Sequence, residues 1–144
     1  MMSILLDPVV PAISAAMPAG TGRGRILVVD DQPSVREFIK AALHSGGYDD
    51  LIFLAGGAGV LGMALSDRPR LIIMDVMMPG GNGMRALRAL RTCRVTASIP
   101  VIITSGFNVP LAEDKVAGRP DEVLSKPFTV EQLLEVVGRL IKAG

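Results

Sequence analysis

Continuous apolar runs restrict the fold of this chain more than any other feature. Arg25–Val29 (RILVV), Leu51–Ala55 (LIFLA), Leu71–Met74 (LIIM) and Val101–Thr104 (VIIT) lack the polar alternation of a half-exposed strand, and a shorter mixed run follows at Glu122–Ser125. Runs of this kind are what strands buried on both faces look like. Between them the pattern turns helical. Pro33 opens a helix in which Val35, Phe38, Ile39, Ala42 and Leu43 recur at helical spacing, and Gly46-Gly47 stops it. Ala58–Ser66 is a weaker helix whose start is diluted by Gly56, Gly57 and Gly59. Met84–Thr92 is a third, with Leu87 and Leu90 inward, and a fourth begins near Pro110 and runs to about Ala117. Thr129-Val130-Glu131-Gln132 fits the capping-box pattern ahead of an apolar stripe of Leu133, Val136, Val137, Leu140 and Ile141. Five strands each followed by a helix imply an α/β domain with a parallel sheet covered on both faces and right-handed crossovers.

With 144 residues, 49% of them hydrophobic, the chain suffices for one domain with a real core. Its formal net charge is +1, with both signs interspersed, so no basic stripe marks a nucleic-acid surface and direct nucleic-acid binding is not indicated. The single cysteine, Cys93, cannot form an internal disulfide and fits a reducing, cytoplasmic compartment as a half-buried helix residue. Residues 1–24 are apolar but broken by Pro8, Pro11 and Pro18 and lack a cationic start, which argues against a membrane span and a secretory signal. They are expected to form a flexible N-terminal arm ahead of a domain over 25–144. The Gly20-Thr21-Gly22-Arg23-Gly24 run precedes the first strand and lacks the ending of a phosphate-binding loop, so a linker is the expectation.

In an open parallel sheet the ligand site lies outside the carboxyl ends of the strands. The unusual polar residues fall there: Asp30 and Asp31 end the first strand, Asp75 the third and Thr104 the fourth, and Lys126 follows the fifth. Gathered carboxylates repel one another and raise each other's pKa unless a cation sits between them, and a hard divalent ion such as Mg²⁺ suits all-oxygen ligands. A carboxylate so placed can act as a nucleophile toward phosphorus, with Lys126 pairing one phosphoryl oxygen and Thr104 hydrogen-bonding another. Each residue alone reads as a cap or a solvated side chain; the convergence of five on the ends of four strands is what carries the reading.

These residues resemble the receiver (phosphoacceptor) domain of two-component response regulators, whose best-known single-domain member is the chemotaxis regulator. The resemblance covers about Arg25 to Lys142. It rests on Val28-Val29-Asp30-Asp31, on Asp75 within "LIIMDVMMPGGNG" with Pro79 and Gly83 at the family's offsets, on Ile102-Ile103-Thr104-Ser105-Gly106, and on Leu124-Ser125-Lys126-Pro127-Phe128. It implies a flavodoxin-like, doubly wound sheet in the order 2-1-3-4-5 with five helices. It also implies Mg²⁺ held by Asp31, Asp75 and the backbone carbonyl of Met77 with Asp30 acting through water, and a cis Lys126-Pro127 peptide. The phosphoryl group would reach Asp75 from a histidine kinase, a phosphotransfer protein or a small phosphodonor. Phosphorylation would then shift a two-state equilibrium that alters contacts with a downstream protein target, and it is compatible with a phosphorylation-dependent dimer.

One departure is plain. Where such domains carry Tyr or Phe three residues before the lysine, this chain has Val123, which lacks the reach for the usual threonine–aromatic relay; Phe107 is the nearest substitute, and Pro110 is expected to shorten the fourth helix. A degenerate receiver serving as a constitutive interaction module is therefore an alternative. An aspartyl-phosphate phosphohydrolase is another, disfavoured because the second acid it would want two residues after the nucleophile is here Met77. His44 is expected at the surface, with no phosphotransfer role. The sequence does not decide between a stand-alone receiver and a piece of a larger protein.

Overall fold

A computed structural model describes residues 24–78, 83–106 and 119–143. Along the chain these form β1 (Ile26–Val29), α1 (Pro33–Ser45), β2 (Leu51–Leu54), a 3-10 turn (Gly57–Gly59), α2 (Val60–Asp67) and β3 (Leu71–Asp75). There follow α3 (Gly83–Thr92), β4 (Val101–Ser105), β5 (Glu122–Ser125) and α4 (Val130–Ala143). All strand pairs are parallel, and the sheet order is β2-β1-β3-β4-β5, the expected 2-1-3-4-5 winding. The described residues hold four helices; the further helix expected from Pro110 to Ala117, Phe107 and most of the N-terminal arm lie outside them.

The continuous apolar runs have the cause inferred from them. Because strand side chains alternate between faces, Leu27, Val29, Ile72, Met74, Val101 and Ile103 pack on one side of the sheet against α2 and α3. Ile26, Val28, Leu71, Ile73 and Ile102 pack on the other against α1 and α4. A run buried on both faces leaves no position at which a polar residue is tolerated. At the start of α4 the capping box forms as expected: Gln132 N–H donates to Thr129 Oγ1 at 3.0 Å, and Thr129 N–H donates to Gln132 Oε1 at 2.8 Å.

The boundaries differ from the sequence reading in instructive ways. Helix α2 starts at Val60, because the glycine-rich stretch before it forms only a 3-10 turn, glycine being the costliest ordinary residue to hold in a helix. Strand β3 runs one residue further than its apolar run, through Asp75, because the ladder with β4 continues to the Asp75–Thr104 pair. Phe38, expected on the buried stripe of α1, is 41% exposed and meets Phe128 edge-on with ring centroids 5.8 Å apart.

Gly83 fixes where α3 leaves the sheet. Its N–H bonds the carbonyl of Val76 at 3.0 Å, and a Cβ there would overlap the carbonyl oxygen of Asp75, so only glycine allows this approach to the chain just past β3. Gly83→Ala is accordingly expected to lower stability by about 1–3 kcal/mol, the usual range for overpacking, as measured by urea denaturation. An unchanged midpoint would show that α3 can withdraw from β3 at no cost.

Candidate functional site

The carboxyl edge of the sheet gathers the side chains that the strand order predicts. Asp30 follows β1 directly and Asp75 closes β3, one step past the Val29–Met74 pair of the neighbouring strands. Both carboxylates are almost fully buried, 1% and 5% exposed. Lys126, the residue after β5, reaches across: its Nζ lies 3.1 Å from Asp30 Oδ2 and 3.5 Å from Asp75 Oδ2. The lysine is held from behind, since its backbone N–H donates to Ser105 O at 2.7 Å. Its peptide bond to Pro127 is cis, as the resemblance implies.

The remaining oxygens are unequally satisfied. Asp30 Oδ1 accepts the Gln32 N–H at 2.9 Å, whereas among the described residues Asp75 Oδ1 has only a long 3.4 Å contact from the Met77 N–H. Asp31 is half-buried, and among the described residues its carboxylate accepts no hydrogen bond and joins no ion pair. Thr104 is buried beside Asp75 as its register partner on β4. Burial pushes the Asp75 carboxyl above its ordinary pKa; the Lys126 ammonium works against that shift, and the charge of Asp30 adds to it. One ammonium does not neutralise the site.

The donor set suits a hard divalent cation. Asp30, Asp31 and Asp75 each offer a carboxylate oxygen, and these oxygens lie within 4.8 Å of one another. Around one octahedral Mg²⁺ at about 2.1 Å, oxygens sit about 3 Å apart as neighbours and about 4.2 Å apart across the ion, so a cluster of this compactness has the scale of a shared site. Met77 stands beside this group at the strand end, with its side chain 55% exposed.

Of the residues singled out from sequence, the structure thus brings together Asp30, Asp31, Asp75 and Lys126, with Thr104 and Met77 adjoining through the register and backbone. Val123 is 45% exposed on the edge strand β5, where it is the register partner of Ile103, and Leu124 is the partner of Thr104. His44 is exposed and Cys93 half-buried, as expected, although Cys93 lies just past the end of α3 at Thr92 and not within a helix. Sequence reasoning missed Arg36, whose guanidinium reaches back from α1 to the Asp30 carbonyl. An arginine on the polar side of a helix carries no signal that distinguishes it from a solvated one. It also missed a groove of about 470 Å³ beside the site, lined by Ser34, Val35, Phe38, Gly106, Lys126, Pro127 and Phe128.

A family model described as "Response regulator receiver domain" matches residues 26–138, which include every strand and every site residue above. The chain belongs to this family. Among curated relatives, this receiver domain is 36% identical to protein PilH of Pseudomonas aeruginosa over 120 residues, 81% of this chain and 97% of PilH. It is 33% identical over 82% of its length to the DNA-binding dual master transcriptional regulator RpaA of a Synechocystis strain, and 36% identical over 82% to the response regulator MprA of Mycobacterium avium. The aligned part spans about half the length of those two relatives (49% and 51%). Among solved structures, the receiver domain of a sensor histidine kinase from Pseudomonas aeruginosa PAO1 superposes with a TM-score of 0.74 at 28% identity, over 83% of this chain and 98% of that one; it is described with a magnesium ion coordinated in its active site cleft. The chemotaxis response regulator CheY4 of Vibrio cholerae gives a TM-score of 0.71 at 30% identity over 81% and 97%.

A carboxyl whose pKa is raised by folding binds its proton more tightly in the native state than in the unfolded one. Its ionisation therefore destabilises the fold, and the loss develops as pH rises through the raised value. In chelator-treated protein at neutral pH, Asp75→Asn is expected to melt at a higher temperature than the wild type, with the gap closing as pH is lowered through that window. A gap that stayed constant with pH, or a variant less stable at neutral pH, would contradict the raised Asp75 value.

Proposed function

We propose that this receiver domain, over residues 25–144, accepts a phosphoryl group on Asp75 from a histidine kinase or phosphotransfer protein of the cytoplasm and thereby changes its contacts with a downstream protein. The observation that carries the reading is the placement of Asp75: buried, next to Asp30, and in reach of the Lys126 ammonium at 3.5 Å. In the transfer, a carboxylate oxygen of Asp75 forms the bond to phosphorus as the bond to the donor's nitrogen breaks, and the electron pair leaves with the donor. Lys126, whose Nζ lies 3.5 Å from Asp75 Oδ2, would pair with one phosphoryl oxygen, and the hydroxyl of Thr104, the register partner of Asp75 one strand over, would donate to another.

Asp31, Asp75 and the Met77 carbonyl would hold Mg²⁺ directly, and Asp30 would do so through water. When bound, the ion supplies neutralisation of the charge carried by the phosphoryl oxygens. By this account the domain catalyses only its own phosphorylation and its own dephosphorylation. Among the described residues no helix is long and apolar enough to cross a membrane, which suits a partner-binding role away from the bilayer. Receiver-type signalling also accommodates a phosphorylation-dependent dimer.

The groove supports a protein donor. It begins at Lys126 and Gly106, where a Cβ on the glycine would meet nothing among the described residues, and continues over Phe38 and Phe128, an apolar seat continuous with the phosphorylation site. The occupant that fits such continuity is the histidine-bearing helix of the donor. Phe38→Ala is expected to slow transfer from a protein donor about tenfold or more, given the weight that aromatic anchors carry in interfaces, while leaving labelling by acetyl phosphate unchanged. Equal slowing with both donors would remove the groove from the account.

The central test is a Mg²⁺-dependent, acid-labile phosphate, or a beryllofluoride adduct, on the wild type that is absent from Asp75→Asn. Equal labelling of the two proteins defeats the proposal. Lys126→Ala should still bind Mg²⁺ yet respond weakly to phosphorylation, and a full response in that variant would contradict the role given to the lysine. Val123 favours one second reading: lacking an aromatic at this exposed position, the domain would serve as a constitutive interaction module. Partner affinity that is the same with and without phosphodonor would select that reading.

A further inference from the structure

Arg36 lies in the first turn of α1 and has no part in the chemistry above. Its Nη1 donates a 2.6 Å hydrogen bond to the backbone carbonyl of Asp30, and the side chain is half-buried. That carbonyl belongs to the peptide joining Asp30 to Asp31, and because a peptide unit is planar, holding its oxygen fixes the whole plane and the direction in which Asp31 departs from it. The far side of the same turn is also tied. Gln32 N–H bonds Asp30 Oδ1, and the N–H groups of Val35 and Arg36 both bond Gln32 O at 3.1 Å. The base of the arginine is therefore anchored to the segment that its tip clamps.

Asp31 is the carboxylate that needs such support. Asp30 is oriented by Lys126 and Gln32, and Asp75 by Lys126 and Met77, whereas Asp31 has no side-chain partner among the described residues. We propose that Arg36 is a positioning residue for the divalent-cation site, holding Asp31 toward Asp30 and Asp75 by clamping the carbonyl that precedes it. The proposal rests on the reading that these three acids hold Mg²⁺.

The sign of its effect separates this role from simple electrostatics. A guanidinium repels a divalent cation, so if charge were its only influence, removing Arg36 would tighten Mg²⁺ binding. A clamp gives the opposite. Groups that orient metal ligands typically contribute tenfold or more to affinity.

The test is Mg²⁺ titration calorimetry on the full chain for the wild type, Arg36→Ala and Arg36→Lys, repeated in an Asp31→Asn background, with melting in chelator as a separate measure of the fold. Arg36→Ala should weaken Mg²⁺ binding about tenfold with little change in metal-free melting. Arg36→Lys, which keeps a donor of similar reach, should recover most of the loss, and in Asp31→Asn the Ala substitution should have no further effect, since coupled residues are non-additive. If Arg36→Ala does not fold, Arg36→Met keeps the apolar stem without a donor and should show the same loss. Binding by the donor-less variant as tight as or tighter than the wild type overturns the proposal while leaving the cation site standing, and so does an equal loss in the Asp31→Asn background. Absence of Mg²⁺ binding to the wild type overturns the site reading and this inference together.

Discussion

Two carboxylates that water hardly reaches, those of Asp30 and Asp75, share the single ammonium of Lys126, and the function of this domain follows from that imbalance. At an effective dielectric constant of 20, unit charges about 4 Å apart interact by roughly 4 kcal/mol. For Asp75, burial is the largest influence and raises its pKa; the attraction of Lys126 works against that shift and the repulsion of Asp30 adds to it. Asp31 adds a third negative charge without a side-chain partner among the described residues. A site built in this way is poised for added positive charge, and through it for an anion that its own carboxylates would otherwise repel.

The backbone limits how far that crowding can relax. Asp75 belongs to the sheet ladder itself, paired with Thr104, so its backbone cannot move away from its neighbours without breaking β3 from β4. Past it, the Val76 N–H bonds Thr104 O and the Gly83 N–H bonds Val76 O, so the chain leaving the acid is fixed on both sides. Lys126 is tied to Ser105 in the same manner at the end of the next strand pair. The energy needed to hold like charges together comes from the two apolar layers, where strand residues at or near 0% exposure pack on both faces of the sheet.

Those layers are also the part of the protein that the sequence discloses most openly. Runs such as LIIM and VIIT announce doubly buried strands because burial on both faces excludes polar residues, and the acids stand out against them for the same reason. The capping box at Thr129 and Gln132 was legible because both halves are local in sequence. Legibility fails where an outcome depends on contacts between distant segments. Phe38 has the spacing of a core residue, yet its place at the margin of α1, against Phe128 and the groove, is set by a turn ninety residues away in the chain. Arg36 could not be told from a solvated helix residue until the Asp30 carbonyl was seen beneath it. The boundaries of β3 and α2 were missed because a ladder outlasts its apolar run in one case and glycines delay a helix in the other.

The two edges of the sheet are electrostatic opposites, and the contrast explains how one fold sustains an unbalanced site. At the amino edge, opposite charges meet: Arg25, ahead of β1, pairs with Asp50 ahead of β2 and Asp67 ahead of β3, at 2.9 and 3.4 Å. Arg91 at the end of α3 reaches the carbonyls of Ala97, Ile99 and Arg119 and the carboxylate of Asp121, and Asp121 in turn accepts the Val101 N–H at the head of β4. The Arg25 pairs are half exposed and contribute little each. The Arg91 cluster, with its guanidinium side chain only 15% exposed, registers α3, β4 and the approach to β5 in one step. The strands are therefore pinned where their charges cancel, and the opposite ends can be left with more acids than bases without loosening the sheet that presents them.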